Sequence, residues 1–369
     1  MEKKILILTA GFGEGHNAAA KGMRDGLAAV SGGAAAVELH DIFGETYGLA
    51  NDWARQGYLA MINRTPRAWG QLYRWLDGQE NYGPQMGWLF MARARLSQLL
   101  VRFQPTVVVS VYPAYAYLIE SILGGAPPAF RRVVCITDSI TVNAIWFRCA
   151  ADLFLVPNEQ TAAVLSRAGV PGEKIGISGF PVTPRIEELG DLRRPPAAGE
   201  ERRVLYMINA GGKAAPAIIR GLTRLPDLML TVTVGRDERL RRSVEALHAE
   251  LPRKFGIVGW SDQLPRLMLE NHLLISKAGG ATVQEAIAAK CPMIISQIVP
   301  GQEAGNAQLI EMTRSGTVAP TPGAILEAVE SAFSGDARLW REWSANIGRL
   351  SRPQAAREIA ELLLSFEGR

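Results

Sequence analysis

At 369 residues the chain is too long for one ordinary hydrophobic core, so about two domains are expected. With 48% apolar and 21% charged residues it is not a disordered chain, and a net charge of +4 is a weak pull toward anions rather than a nucleic-acid footprint. Cys135, Cys149 and Cys291 lie far apart with no CxxC or Cys/His pairing, which argues against a disulfide framework or zinc site and for a reducing cytoplasm.

No run of about 18 apolar residues is present to span a bilayer. The apolar stretch after Lys3 and Lys4 meets Gly11, Gly13 and Glu14 without a cleavage site, so no signal peptide is expected.

In chain order, residues 5–9 read as a buried strand running into GFGEGH at 11–16, a glycine turn that opens a helix. A dinucleotide fingerprint needs a third glycine where His16 stands, which counts against a nicotinamide site. Glu38 and Asp41 do stand near the end of the next strand, where a ribose-binding acid belongs. The loop instead delivers His16 to a helix N-terminus beside the amides of Gly13 and Gly15. The field there favours anions over imidazolium, so a neutral ring can accept a proton as a general base. The competing reading is a histidine that caps or packs beneath the loop.

Further strands are expected over 36–39, 107–111, 133–137 and 153–156, with mostly helical segments between them. Between 53 and 102, Arg55, Arg64, Arg67, Arg74, Arg93, Arg95 and Arg102 face only Asp77 and Glu80. They are interleaved with Trp53, Tyr58, Trp69, Tyr73, Trp75, Tyr82 and Trp88. Such a mixture suits the headgroup level of an anionic membrane, and equally a helical insertion with core aromatics and solvated arginines. Asp138, just past the 133–137 strand, either orients His16, binds an acceptor or caps a helix.

Residues 187–202 are charged, carry Pro and Gly and lack apolar periodicity, and so read as a linker between domains at 1–186 and 203–350. Strands resume over 204–208, 228–234, 256–258, 273–276 and 293–296. This alternation predicts two doubly wound α/β domains. The tail is helical from 338 to 366, and Pro353 starts a last helix within 351–369 that is expected to cross back onto the first domain.

The second half also holds KAGGATVQEA at 277–286 and PGQEAGNA at 300–307. A strand ending at Ser276, a tight turn and a helix from near Ala281 leave amides and the Thr282 hydroxyl free for a diphosphate. Glu285, one turn in, suits a ribose diol, each charge-assisted bond contributing roughly 1.5–3 kcal/mol. Gln302 and Glu303 offer partners to a polyhydroxylated ligand, and Lys277 offers a cation where no DxD-like metal motif occurs.

The order and spacing of these motifs, with TD at 137–138, WF at 146–147 and GFPVTP at 179–184, resemble the monogalactosyldiacylglycerol synthase family. That family includes the bacterial processive diacylglycerol glucosyltransferases. The chain is similar, more distantly, to the N-acetylglucosaminyltransferase that makes peptidoglycan lipid precursors. The resemblance spans most of the chain. It implies an α/β GT-B fold, two Rossmann-like domains facing across a cleft, with the C-terminal helix crossing back to the N-terminal domain.

It further implies a metal-independent, inverting hexosyltransferase with no cofactor beyond a UDP-sugar co-substrate. The acceptor would be a lipid, foremost diacylglycerol, met at the cytoplasmic face of the membrane through the 53–102 region. Carried over, His16 is the base and Asp138 its catalytic companion. Gly212, Trp260, Gly279, Gly280, Thr282, Glu285, Gln302, Glu303 and Asn306 bind the nucleotide-sugar. Gly13, Glu14, Gly15, Asn17, Tyr112 and Trp146 bind the acceptor. The sequence departs from the family at Asn143, Thr183 and Lys213, around the acceptor side and the inter-domain cleft. Alternatives are a transferase of the same fold with a soluble or secondary-metabolite acceptor, a UDP-sugar 2-epimerase, and a catalytically dead nucleotide-sugar sensor.

Overall fold

The computed structural model describes residues 2–11, 13–51, 53, 57, 71, 78, 82, 87, 89–197, 199–208, 212–299 and 303–367. The chain forms two compact units. One comprises Met1–Pro184, Val299–Gly305 and Gln354–Arg369, the other Arg185–Ile298 and Asn306–Pro353.

The first unit runs β1 (Lys3–Leu8), α1 (Glu14–Ser31), β2 (Ala35–His40), α2 (Ile42–Tyr47), α3 (Phe90–Phe103) and β3 (Val107–Ser110). It continues with α4 (Ala114–Leu123), β4 (Arg131–Cys135), a 3-10 turn at Ala144–Trp146, β5 (Leu153–Val156), α5 (Glu159–Arg167), another 3-10 turn at Gly172–Lys174 and β6 (Ile175–Ile177). The six strands are all parallel in the order β2-β1-β3-β4-β5-β6. Helices on both faces explain the unbroken apolar runs: Ile5 through Leu8 have no exposed surface at all.

The second unit runs α6 (Arg185–Glu188), β7 (Arg202–Met207), α7 (Ala215–Leu222), β8 (Leu228–Gly235), α8 (Glu238–Glu250), β9 (Gly256–Gly259) and α9 (Leu264–Glu270). Then come β10 (Leu273–Lys277), α10 (Gly280–Ala288), β11 (Met293–Gln297), α11 (Ala304–Met312), β12 (Gly316–Val318) and α12 (Pro322–Leu350). Its sheet is also six-stranded and parallel, ordered β12-β11-β10-β7-β8-β9. The two α/β units thus follow the expected alternation. In each sheet the strand order reverses once, between β1 and β3 and between β7 and β10, and ligands of such sheets bind beyond the strand C-termini at that reversal.

Two short edge strands were not expected: β6 and β12, each three residues long. The stretch read as a linker holds part of α6, a 3-10 turn at Gly190–Leu192, and Arg193, whose guanidinium donates to the carbonyls of Asn271 and His272. Among the described residues no helix is long and apolar enough to cross a membrane.

The terminal helix α13 (Ala355–Ser365) packs on α1, burying Ile359, Ala360 and Leu363. Close approach here depends on glycine. A Cβ on Gly26 would sit 2.4 Å from the Ala356 carbonyl oxygen, and one on Gly22 only 1.9 Å from that of Pro181. Neither obstacle is a flexible side chain, so the backbone itself would have to move. Gly22→Ala is expected to destabilise the first unit by about 1–3 kcal/mol, read as a lowered urea midpoint.

Candidate functional site

The first candidate site is built on the loop after β1. Its floor is tied down twice. Asp41 accepts from the Gly11 amide at 2.9 Å and from the Gly44 amide at 2.9 Å as the cap of α2. Tyr115 donates to the Thr9 carbonyl at 2.6 Å and accepts from the Ile42 amide at 3.0 Å. Asp41 is therefore a structural cap, and Glu38 is bonded to His40 at 2.8 Å and to Arg102 at 2.5 Å. Both acids near the β2 end are spoken for within the scaffold, which removes the support they lent to a dinucleotide site.

Gly13 is the N-cap of α1 and supplies no side-chain cap, so the first-turn amides face outward uncapped by side chains. Glu14 is exposed, Gly15 is half-buried, and Asn17 accepts from the Thr9 hydroxyl at 3.0 Å. His16 turns inward and is 8% exposed. Thr137 Oγ1 lies 3.1 Å from its Nδ1, Tyr112 meets its ring edge-on at 5.2 Å, and Trp146 tilts against it at 5.8 Å. Burial pushes the His16 pKa down to about 4, opposed by a backbone hydrogen bond to Val111. The ring is thus neutral, as the sequence suggested. Desolvation rather than the helix field is the leading cause. Thr137 can donate to Nδ1 or accept from it according to which ring nitrogen carries the proton, and in either tautomer the neutral ring keeps one nitrogen lone pair.

Asp138 does not reach His16. Its carboxylate accepts from the Trp146 indole at 2.8 Å, and burial lifts its pKa to about 6 against that bond. Nor does it cap a helix. The cap of the 3-10 turn carrying Trp146 is Asn143, which accepts from the Ile145 amide at 3.1 Å. The residue that departs from the family pattern therefore holds Trp146 in place. Thr137 and Asn143 were both overlooked as site residues. Thr137 was visible beside Asp138, and Asn143 as a favoured cap residue ahead of an aromatic.

The second candidate site lies at the β7–β10 reversal. Gly279 is the N-cap of α10 without a side-chain cap, so the amides of Gly280 and the residues after it are open to a ligand. Thr282 and Glu285 are half-buried in the first turns of α10. Desolvation lifts the Glu285 pKa to about 7, and among the described residues nothing bonds its carboxylate. Asn306 is 2% exposed and donates to the Ala278 carbonyl at 3.1 Å, while its Oδ1 is buried without a partner.

Trp260 is 64% exposed under the Arg236 guanidinium at 4.4 Å, and Gly212 is exposed just before α7. Glu303 falls in the segment grouped with the first unit, is 6% exposed, and accepts from the Val299 amide at 3.0 Å. Gln302 lies outside the described residues. Among those described, no cluster of three or more His, Cys, Asp or Glu side chains could hold a metal ion.

The shifted Glu285 makes a signed prediction. Glu285 in the fold holds a proton up to about pH 7 that the unfolded chain releases near 4.5, so its charge weakens the fold as pH rises through that window. Glu285→Gln should raise the melting temperature at pH 8, by up to about 3 kcal/mol of relieved desolvation, and leave it nearly unchanged at pH 4.5.

The family model for monogalactosyldiacylglycerol (MGDG) synthase matches residues 16–182. A processive diacylglycerol beta-glucosyltransferase of Bacillus cereus (strain AH187) is 25% identical, covering 98% of this chain and 93% of its own. The Bacillus cytotoxicus protein of the same name is also 25% identical, with coverage of 98% and 93%. Among solved structures, the glycotransferase of kitacinnamycin superposes with a TM-score of 0.63 at 13% identity, covering 99% of each chain. The UDP-GlcNAc 2-epimerase of Neisseria meningitidis gives 0.61 at 12% identity, covering 99% of this chain and 100% of its own. At such identity these structures speak for the fold alone, the two-unit α/β fold expected. Family match and curated relatives agree with the motifs: residues 16–182 are similar to the monogalactosyldiacylglycerol synthase family, and nearly the whole chain is similar to the processive diacylglycerol glucosyltransferases.

Proposed function

We propose that the protein is an inverting glycosyltransferase that moves a hexose from a UDP-sugar to a hydroxyl of a lipid, foremost diacylglycerol. The observation that carries this reading is His16, an uncharged imidazole walled by Tyr112 and Trp146 at the strand reversal of the first sheet. The acceptor hydroxyl gives its proton to His16 as its oxygen attacks the anomeric carbon. The bond from that carbon to the diphosphate oxygen breaks, UDP leaves with the electron pair, and His16 then releases the proton to solvent. Attack from the face opposite the leaving group inverts the centre.

Thr137 orients the ring, and Asp138 acts through the Trp146 indole. In the second unit the uncapped amides of α10 and the Thr282 hydroxyl hold the diphosphate, whose departing charge they stabilise without a metal. Glu285 takes the ribose diol, and Trp260 the base. The curated relatives are named for diacylglycerol as acceptor, and the lipid reading draws on that.

Docking at a membrane from the inner face draws on the surface of α3. Phe90, Met91 and Val101 are exposed there at 65%, 47% and 73%, alongside Arg93, Arg95 and Arg102, and Leu49 and Trp53, past the end of α2, are exposed as well. Tyr82, by contrast, is buried against Tyr117. Arg55, Tyr58, Arg64, Arg67, Trp69, Tyr73, Arg74, Trp75, Asp77, Glu80 and Trp88 lie outside the described residues.

The test is UDP release from UDP-glucose, UDP-galactose and UDP-N-acetylglucosamine, with and without diacylglycerol in anionic vesicles. Release from one donor only when diacylglycerol is present, falling about 10²–10⁴-fold in His16→Ala, is the expected outcome. Release driven by a soluble acceptor instead would move the acceptor to that class. Sugar epimerisation without UDP release would overturn the transferase reading. The kcat/KM profile should carry an acid limb near pH 6 that Asp138→Asn abolishes, since His16 stays neutral down to about pH 4.

A further inference from the structure

At the opposite end of the second sheet from the α10 N-terminus, a pocket of about 330 Å³ opens between the segment preceding β7, the end of α10 and the second half of α12. Its lining includes Arg193, Lys290 and Arg341, with Trp340, Pro195 and Ser344. The back wall is rigid. The Trp340 indole donates to the His272 carbonyl at 2.7 Å, and the Arg193 guanidinium lies 5.6 Å from its ring centroid while bonding the Asn271 and His272 carbonyls. Arg193 thus supplies charge from behind the wall, held by backbone and ring rather than by a carboxylate.

The rim is different. Lys290, at a left-handed φ of 54° just after α10, is exposed and has no partner among the described residues. Arg341 bonds Asp336 at 2.7 Å, an ion pair whose side chains are 55% and 75% exposed and so readily exchanged. Glu342, next along α12, is turned to Arg314 at 3.0 Å. Asp336 itself sits in a break of α12 where Gly335, Asp336 and Ala337 all adopt left-handed backbone, a conformation that side-chain-bearing residues rarely take and that clusters at ligand sites.

Further cations stand behind the wall. The Arg203 backbone amide donates to Nδ1 of buried His272 at 3.0 Å while its guanidinium lies 3.3 Å from Nε2, and burial, helped by the charges of Arg203, Arg193 and Arg202, pushes that ring's pKa down to about 3. An uncharged His272 leaves the cluster its hydrogen-bond acceptor. The pocket is thus lined by Arg193, Lys290 and Arg341, with Arg202 and Arg203 close to His272 behind it, while Asp336 pairs with the rim and Glu342 is turned away to Arg314.

We propose that this pocket binds a small phosphate ester: the phosphate between Lys290 and Arg341, where it displaces Asp336, and the organic part against Trp340 and Pro195. The site belongs to the second unit alone and does not rest on the transferase reading. The same phosphate chemistry is offered by a free glycerol phosphate and by an anionic lipid headgroup, and the experiment separates them.

Calorimetric titration of the full chain with sn-glycerol 3-phosphate is one arm. Co-sedimentation with phosphatidylglycerol vesicles, against phosphatidylcholine vesicles, is the other. Lys290→Glu and, separately, Arg341→Gln should weaken one of these interactions at least tenfold, with thermal unfolding unchanged. Arg242→Glu, an exposed cation on α8, should leave it within twofold. Loss in the first arm identifies a soluble ester, and loss in the second alone a headgroup. Equal weakening by all three variants, or no binding of either probe to the unaltered protein, would overturn the site.

Discussion

The free energy of an imidazolium in an apolar enclosure governs how the first unit works. His16 stands in the first turn of α1, where the unpaired amides already disfavour a cation, and the sheet, Tyr112 and Trp146 then take its ring out of water. Thr137 fixes one ring nitrogen, and Asn143 fixes the turn that brings Trp146 alongside. None of these neighbours carries charge. Asp138, which does, is kept one residue away behind an indole N–H. A carboxylate placed directly on the ring would have stabilised the protonated state and raised its pKa. The scaffold is arranged to do the reverse.

The second unit solves a complementary problem. Its strand reversal leaves an uncapped helix N-terminus, a carboxyl group poised near neutrality and a buried amide oxygen without a donor. Each is an unfavourable arrangement in the empty protein. A buried acceptor without a partner costs on the order of 1–3 kcal/mol, and a half-buried carboxylate is driven to take up a proton. On the proposed function, the diphosphate of a donor would meet the amides and its hydroxyls would meet the carboxyl group and the amide oxygen. Groups left unsatisfied together at the place where the topology predicts binding are a stronger indication of a ligand than any one motif.

Much of this was legible from the sequence because parallel strands buried on both faces announce themselves as unbroken apolar runs. Residues 5–9 and 133–137 are of that kind, and each leads into a loop that carries site residues. What was not legible follows from the same physics. β6 reads IGI and β12 GTV. Edge strands of three residues, paired on one side only, need no apolar run and leave no periodic trace. The partner of Asp138 was equally hidden, because proximity along the chain to a motif does not fix which way a carboxylate points. Trp146 was in view as a landmark, but its indole N–H as the group that claims Asp138 depends on a 3-10 turn set by Asn143. The stretch at 187–202 lacked periodicity because Arg193 anchors by hydrogen bonds to carbonyls and by its ring contact, not by an apolar face.

A base with a pKa near 4 is a poor proton acceptor in isolation, and this bears on how the site is to be understood. Proton transfer is most efficient when the base is matched to working pH, so a ring held this far below neutrality gains strength only if something bound beside it favours the cation. A dianionic diphosphate has that character. Its arrival in a dry site would raise the imidazole pKa through direct Coulomb attraction, which burial amplifies. On the proposed mechanism the low pKa of the empty site is therefore a safeguard as much as a cost. On that proposal the ring would stay uncharged until a donor binds, and its basicity would appear only in the complex.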